Sequence, residues 1–418
     1  MTDPALGAAL EAAAPATLLP DRAQARRADL ADQAEVADVL DLGGGAFLAL
    51  LRADERILVV PGRVDEHGLG RDPGVASGLL AGTHGAFTVE LFDRGIPKGD
   101  AVGIDVDQSN DSVILGDAMV KWQIDAVPSP APERLRALVG SGLTPDLRAL
   151  VTWTGPDAVT RAVLSAALHL PGAEDGWTWA VELLRSHARG EAVDALAPFA
   201  ELGRMTARMH GLLSGLGVST WSAERVKELR LQCVGHQDKA CEEIDGAEGD
   251  RLRARRERLR SVLDALTAVE STPVIDIHGD LHIGQVLQQA DGAQYAFVDF
   301  DGNPVLDPDQ RMERQPAARD VAGMLASIDH VARVVNHRTP GVDADVVLAW
   351  IPLAQGGFLG AYRETLAATG HSGLLDERLL PALLIDQEMR EFLYAARHLP
   401  HWRYVPDAVI TAMFPEEE

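Results

Sequence analysis

His278-Gly279-Asp280-Leu281-His282-Ile283-Gly284-Gln285 is the stretch on which the reading turns, preceded by the apolar lead Val274-Ile275-Asp276-Ile277 and followed by Tyr295-Ala296-Phe297-Val298-Asp299-Phe300-Asp301-Gly302. The lead is an apolar run, and the trailing segment alternates and ends in two carboxylates, so both have strand patterning. Gly279 sets a tight turn that exposes the Asp280 carboxylate at a strand end. Gln285 follows five residues later with a neutral amide oxygen, and Asp299 follows 19 residues after Asp280 with a charged one. Mg²⁺ takes few protein oxygens and fills its shell with phosphate and water. The set therefore suits phosphoryl transfer: Asp280 accepts a hydroxyl proton, while Gln285 and Asp299 hold the metal. Asp299 also has a plainer reading, as a turn acid beside Asp301-Gly302. His278 and His282 have the spacing of a metal pair, but Gly279 opposes the helix that a zinc motif needs. Their other reading is structural, with His278 bonding loop carbonyls and His282 holding the loop.

Composition narrows the class. The 418 residues are 46% hydrophobic and 24% charged, with 38 Lys+Arg against 63 Asp+Glu and a net charge of −25. This is globular composition long enough for two or three domains. The acidic surplus lacks a nucleic-acid footprint and repels anionic membrane, whereas a cationic small molecule is welcome. Cys233 and Cys241 sit in no metal or redox motif and read as free thiols of a cytoplasmic protein. The N-terminal residues lack a basic start and read as no signal peptide. No apolar run reaches the ~18 residues of a membrane span.

Upstream of the catalytic stretch, Asp107 to Trp122 reads as a polar loop, a strand, a Gly116-Asp117 turn and a second strand with Lys121 near its end. Such a layout can cradle nucleotide phosphates, with Ser109, Asn110 and Ser112 as donors and Lys121 as the cation. A surface hairpin with an exposed lysine fits the same residues. Glu133 opens the next helix, either as a first-turn acid favoured by the dipole or as the carboxylate that orients Lys121. Gly43-Gly44-Gly45 has no Lys-Ser/Thr after it and reads as a turn, not a P-loop. Residues 1 to about 40 read as helix or arm, and Ala46–Leu51 with Arg56–Val60 as a hairpin. Val159 to Leu168 reads as strand or helix, and the chain is mostly helical after Pro171. His210 lies beside a helical apolar stripe and reads as a packed residue, not a ligand.

HGDLHIGQ followed by VDFDG resembles the aminoglycoside-phosphotransferase-type kinases, which share the eukaryotic-like kinase fold. It is most similar to their maltokinase-like branch, which has Gln where many relatives have Asn at the first metal position. The resemblance extends through residues 107–122, the Glu133 helix, GAEDGWTWA (172–180), LGRMTARMHGLL (202–213) and RDVAGML (319–325). It implies Lys121 on the phosphates with Glu133 as partner, Asp280 as base, Gln285 and Asp299 on Mg²⁺, and adenine contacts around 166–170. The chain departs from maltokinases at Asp299-Phe300-Asp301-Gly302-Asn303-Pro304, where they read D-F-E-G-E-P, and in the loop onward to Pro316.

Near the C-terminus, Gln387, Glu391, Tyr394 and His398 fall on one helical face, with Trp402 beyond the helix end. An amphipathic surface helix is the bland reading. An amide, an acid, a phenol, an imidazole and an aromatic platform also suit a sugar, and a carboxylate suits an amino sugar. The stretch Gln387-Glu388 through Trp402 resembles the signature of the glucosamine-kinase subgroup of that branch. The expectation is therefore an α+β, bilobal protein-kinase-like fold. It has an N-terminal cap (1–92), a β-rich nucleotide subdomain (93–170) and a mostly helical lobe (171–418). The expected reaction is ATP- and Mg²⁺-dependent phosphorylation of D-glucosamine at the 6-hydroxyl. Asp280, Asp301, Gln387, Glu388, Glu391, Tyr394, His398 and Trp402 would face the sugar. Maltose 1-phosphorylation, another hexose or aminoglycoside acceptor, and a non-catalytic binding module are the alternatives. The expected enzyme is a cytoplasmic monomer or homodimer that binds neither nucleic acid nor membrane, and the resemblance links such kinases to amino-sugar antibiotic synthesis.

Overall fold

The structure is a computed structural model that describes residues 4–20, 30, 33–66, 68–82, 84–92, 95–104, 110–292, 294–303, 306 and 308–416. Its contacts divide into two compact units, Met1–Pro171 with Pro304–Met312, and Gly172–Asn303 with Glu313–Glu418.

The first unit holds two antiparallel sheets. Strands β1 (Glu35–Gly43), β2 (Ala46–Ala53), β3 (Arg56–Asp65) and β4 (Gly68–Arg71) form a meander in sequence order. The β1–β2 turn uses Gly43, Gly44 and Gly45, all at positive φ, a conformation that glycine adopts without a side-chain clash. β2 is almost continuously apolar because both its faces are covered. Phe47, Ala49 and Leu51 pack with Leu10, Leu18 and Leu19 of the N-terminal segment. Leu48 and Leu50 pack with Val113, Val120, Trp122, Val151 and Trp153 of the second sheet. Full burial of a Phe or Leu contributes about 1.5–3 kcal/mol, so each face of this strand glues a separate layer.

The second sheet contains β5 (Phe87–Leu91), β6 (Ala101–Gly103), β7 (Asn110–Leu115), β8 (Ala118–Gln123), β9 (Leu147–Thr154) and β10 (Thr160–Leu168) in the order β5-β9-β10-β8-β7-β6. The segment open to both readings, Val159 to Leu168, is thus strand β10. β5, grouped by its sequence position with the first 92 residues, pairs instead with β9. Pairing here is set by the distant edge of β9, which local pattern does not report.

The second unit is mostly helical. The stretch from Ser222 to Val269 breaks into Ala223–Glu243, Gly246–Ala254 and Arg256–Asp264. The basic run there is not simply solvated: Arg255 and Arg258 donate to the carbonyls of Phe414 and Pro415, and Arg251 binds Asp407, so the run fastens the C-terminal segment. Helix Ala344–Ala368 is long and apolar enough to cross a membrane by length and composition, contrary to the sequence expectation. Within this unit Trp350 donates to Ala195, Gln355 to Leu325, and Tyr362 is bonded to His210. Those bonds, with buried Trp350, Phe358 and Tyr362, pack one face of it within this unit.

Candidate active site

The turn at Gly279 (φ 87°) carries the stretch from a short strand into the Asp280 position. Its backbone is held from across the fold. Asp320, in the first turn of helix Ala318–Arg338, accepts the amides of His278 at 2.7 Å and Gly279 at 2.9 Å. A third donor, His210 Nε2, reaches the same carboxylate at 3.1 Å, which leaves Nδ1 to accept the Tyr362 hydroxyl at 2.7 Å. Asp320, His278, His210 and Tyr362 are buried, and Gly279 is half-buried. Burial opposes a charge on Asp320, but the His210 bond, the two histidines and the Gly279 amide outweigh it and hold its pKa below the ordinary range.

His278 takes the structural role. Its Nε2–H donates to Val298 O at 2.8 Å, and Nδ1 accepts the Asp280 amide at 3.4 Å. Burial is the main force on its ring and lowers its pKa. His282 accepts the Gly284 amide at 3.1 Å and caps the short turn Ile283–Gln285. Two close approaches fix the loop further. A Cβ on Gly176 would lie 1.6 Å from Ile283 O, and one on Gly323 would lie 2.4 Å from Leu281 O. Helices Gly176–Ala188 and Ala318–Arg338 therefore clamp the catalytic loop backbone to backbone.

Asp280 itself is raised in pKa by burial, against the pull of His282, His278 and Arg390. Gln285 and the strand leading to Asp299 are tied by the bond from Val298 N to Gln285 O at 3.0 Å. Asp299 adopts φ 67°, a left-handed conformation that costs a non-glycine residue energy and recurs at functional sites. Among the described residues no three His, Cys, Asp or Glu side chains converge into a closed metal cage. An amide oxygen and a carboxylate on two paired segments do fit Mg²⁺ when phosphate and water supply the rest of its shell. Asp301 follows on the same half-buried turn, before Gly302 at φ 76°.

The helix expected to face the acceptor, Leu380–Arg397, sorts the residues placed on its face by the sequence. Gln387 donates to Glu391 Oε1 at 3.0 Å, and the Trp402 indole donates to Glu391 Oε2 at 3.2 Å. Those three come together. Glu388 does not join them. It is 1% exposed and lies against His330 Nε2 at 2.9 and 3.1 Å. One residue is about 100° around a helix, enough to move Glu388 from the face of Gln387 into the core. Tyr394 and His398 are exposed and pack on each other, with ring centroids 5.0 Å apart. Two links join this helix to the catalytic loop. Arg390 binds the Gln387 side chain and its charge acts on Asp280, and Trp177 contacts both His282 and Trp402.

In the first unit, Lys121 stands directly opposite Ser112 on β7 and Ser165 on β10. Opposed residues share a face, so the three form a row on the face away from Val113, Val120 and Trp122. Asn110 and Ser112 are buried, and Asp111, on the other face, is bound by Arg71 at 2.8 Å. Ser109 lies outside the described residues. Glu133 takes a partner other than the one expected. Its carboxylate binds Arg136 at 2.6 Å, one helical turn away, and Arg136 also binds Glu90.

Asp320 is the residue that sequence reasoning passed over, and His210, read as a packed residue, is packed as its partner. The available signal was an acid in the first turn of an otherwise apolar helix, and a lone His inside an apolar stripe.

A domain of this kind, with an aspartate-bearing turn locked by a buried acid, is that of a phosphotransferase. The Phosphotransferase enzyme family pattern matches residues 123–350, more than half of the chain, and the chain belongs to that family. Glucosamine kinase from Streptacidiphilus jiangxiensis is 44% identical over 426 aligned positions, covering 97% of either chain. Glucosamine kinase from Mycolicibacterium smegmatis is 39% identical over 404 positions, 91% of this chain and 98% of that one. A solved glucosamine kinase in complex with glucosamine, ADP and inorganic phosphate matches with a TM-score of 0.86 at 42% identity, over 98% of this chain and 99% of that one. A second crystal form of glucosamine kinase matches with a TM-score of 0.89. The kinase-like α+β fold expected from the sequence is thereby borne out.

Proposed function

We propose that the chain is a cytoplasmic kinase that transfers the γ-phosphoryl group of ATP to the 6-hydroxyl of D-glucosamine. The observation that carries the acceptor is Glu391, an acid fixed by Gln387 and Trp402 on a helix linked to the Asp280 loop through Arg390 and Trp177. A carboxylate is the complement of a protonated sugar amine, and glucose lacks that amine. The extent and level of likeness to glucosamine kinases support the same acceptor.

Asp280 orients the 6-hydroxyl and accepts its proton as the oxygen bonds to phosphorus. Asp320 keeps the loop amides in place, so the base does not drift. Lys121, with Asn110 and Ser112, binds phosphate oxygens. Gln285 and Asp299 would hold Mg²⁺, which when bound neutralises phosphate charge. Gln387 and Asp301 read the sugar hydroxyls. Both cysteines are free and buried, in keeping with a reducing compartment.

The test is ADP release from Mg-ATP with glucosamine, N-acetylglucosamine, glucose, maltose and an aminoglycoside offered in parallel. Glucosamine should give the highest kcat/KM. A higher value for any of the others, or no turnover with all five, would overturn the assignment.

A further inference from the structure

Behind the acceptor residues lies a buried ionic pair that touches no ligand in the scheme above. His330, on helix Ala318–Arg338, and Glu388, on helix Leu380–Arg397, are 3% and 1% exposed. Both Glu388 oxygens lie within hydrogen-bond reach of the single nitrogen His330 Nε2. Burial would strip the proton from His330, but Glu388, with Glu391 and Asp329, raises its pKa to about 9. A buried pair of this sort is poor glue: an apolar pair of equal volume is often as stabilising. Its geometry suggests another use. The His330 and Trp402 rings lie nearly at right angles, at 87° and 6.2 Å between centroids. Trp402 in turn holds Glu391 through its indole N–H.

We propose that His330 is a positioning residue for acceptor specificity, its ring pinned by Glu388 so that Trp402 holds Glu391 toward the sugar amine. The inference rests on the glucosamine reading of the site. The Trp402 ring is also contacted by Trp177, Tyr404 and Arg338. The indole is bonded directly to Glu391 of the acceptor helix, and His330 adds a second tie to that helix through Glu388.

Three variants separate this role from general stability. H330Q keeps a donor for Glu388 but removes the ring. E388A keeps the ring but frees it to rotate. E388Q keeps the ring and an oxygen that accepts from His330 Nε2–H. The readout is the ratio of kcat/KM for glucosamine to that for glucose, with the KM for ATP measured in the same preparations. H330Q and E388A should each lower the ratio about tenfold, equivalent to ~1.4 kcal/mol, with the KM for ATP within about twofold of wild type. E388Q should restore most of the ratio. An unchanged ratio in folded H330Q, or parallel increases in both KM values, would overturn the proposal. So would E388Q behaving like E388A. Failure of the wild-type protein to prefer glucosamine over glucose would instead overturn the functional reading beneath it, so the two failures are distinct. Circular dichroism confirms that each variant is folded. If H330Q does not fold, the E388A and E388Q comparison decides the question alone.

Discussion

Replacing Asp320 by Asn tests the central physical claim, that one buried carboxylate holds the catalytic turn. Asp320 accepts three hydrogen bonds, from His278 N, Gly279 N and His210 Nε2, at 2.7, 2.9 and 3.1 Å. Asn has the same shape but one oxygen fewer, and its –NH₂ would face a donor. At least one backbone amide then loses its acceptor, at a cost of ~1–3 kcal/mol, and the surviving bonds lose the charge that makes each worth about 1.5–3 kcal/mol. The sum is about 3–5 kcal/mol, the range for breaking a buried charged network. Urea unfolding followed by far-UV circular dichroism, which weights the helical unit, measures it. The pH dependence carries a sign. The folded pKa of Asp320 is lowered, by hydrogen bonds and neighbouring charge that outweigh burial. Its contribution is therefore complete above the unfolded carboxylate value of about 4 and is lost as pH falls through the lower folded value. The gap between wild type and variant should be full at neutral pH and close in acid. Turnover should also fall, by about 100-fold if the turn shifts by ~1 Å. A gap under about 1 kcal/mol at neutral pH, or one that widens on acidification, would refute the reasoning.

Other outcomes follow from the same geometry. Asp280→Asn should abolish nearly all turnover yet leave nucleotide binding intact by titration; full activity would remove Asp280 as the base. Burial raises the Asp280 pKa, and a base must be ionised. The acid limb of a kcat/KM profile should accordingly lie above the ordinary aspartate value of about 3.9, and a limb at or below it would argue against that assignment. Gly176→Ala would force a Cβ to within 1.6 Å of Ile283 O. A backbone atom cannot rotate away, so a stability loss of at least 1–3 kcal/mol and a lower kcat are expected, and a neutral result in thermal melts would contradict the clamp. Glu391→Gln should raise the KM for glucosamine about tenfold or more while the KM for ATP barely moves; equal changes would take Glu391 out of the acceptor site.

Much of the site was legible because its chemistry is local. A glycine must sit where the turn before Asp280 reaches φ 87°, and the residues proposed to bear base and metal oxygens follow within two dozen positions. The structural roles of His278 and His282 were readable for the same reason, since their partners lie in the same loop and the strand after it. The helix choice that a pattern leaves open, as at Val159–Leu168, was closed by pairing with β8 and β9.

The sequence alone determined where the proposed base and paired oxygens fall, because the turn and the segments that carry them depend on short-range backbone geometry. Tertiary structure decided what those residues lean on. Asp320 reaches His278 across 42 positions, and no periodicity within a helix announces a hydrogen bond to a distant loop. Glu388 faces His330 instead of the side of Gln387 and Glu391, and Glu133 binds Arg136, because a side chain's partner is set by its angle about the helix and by nearby opposite charge. Both are properties of packed neighbours, and they come into being only when the chain has folded.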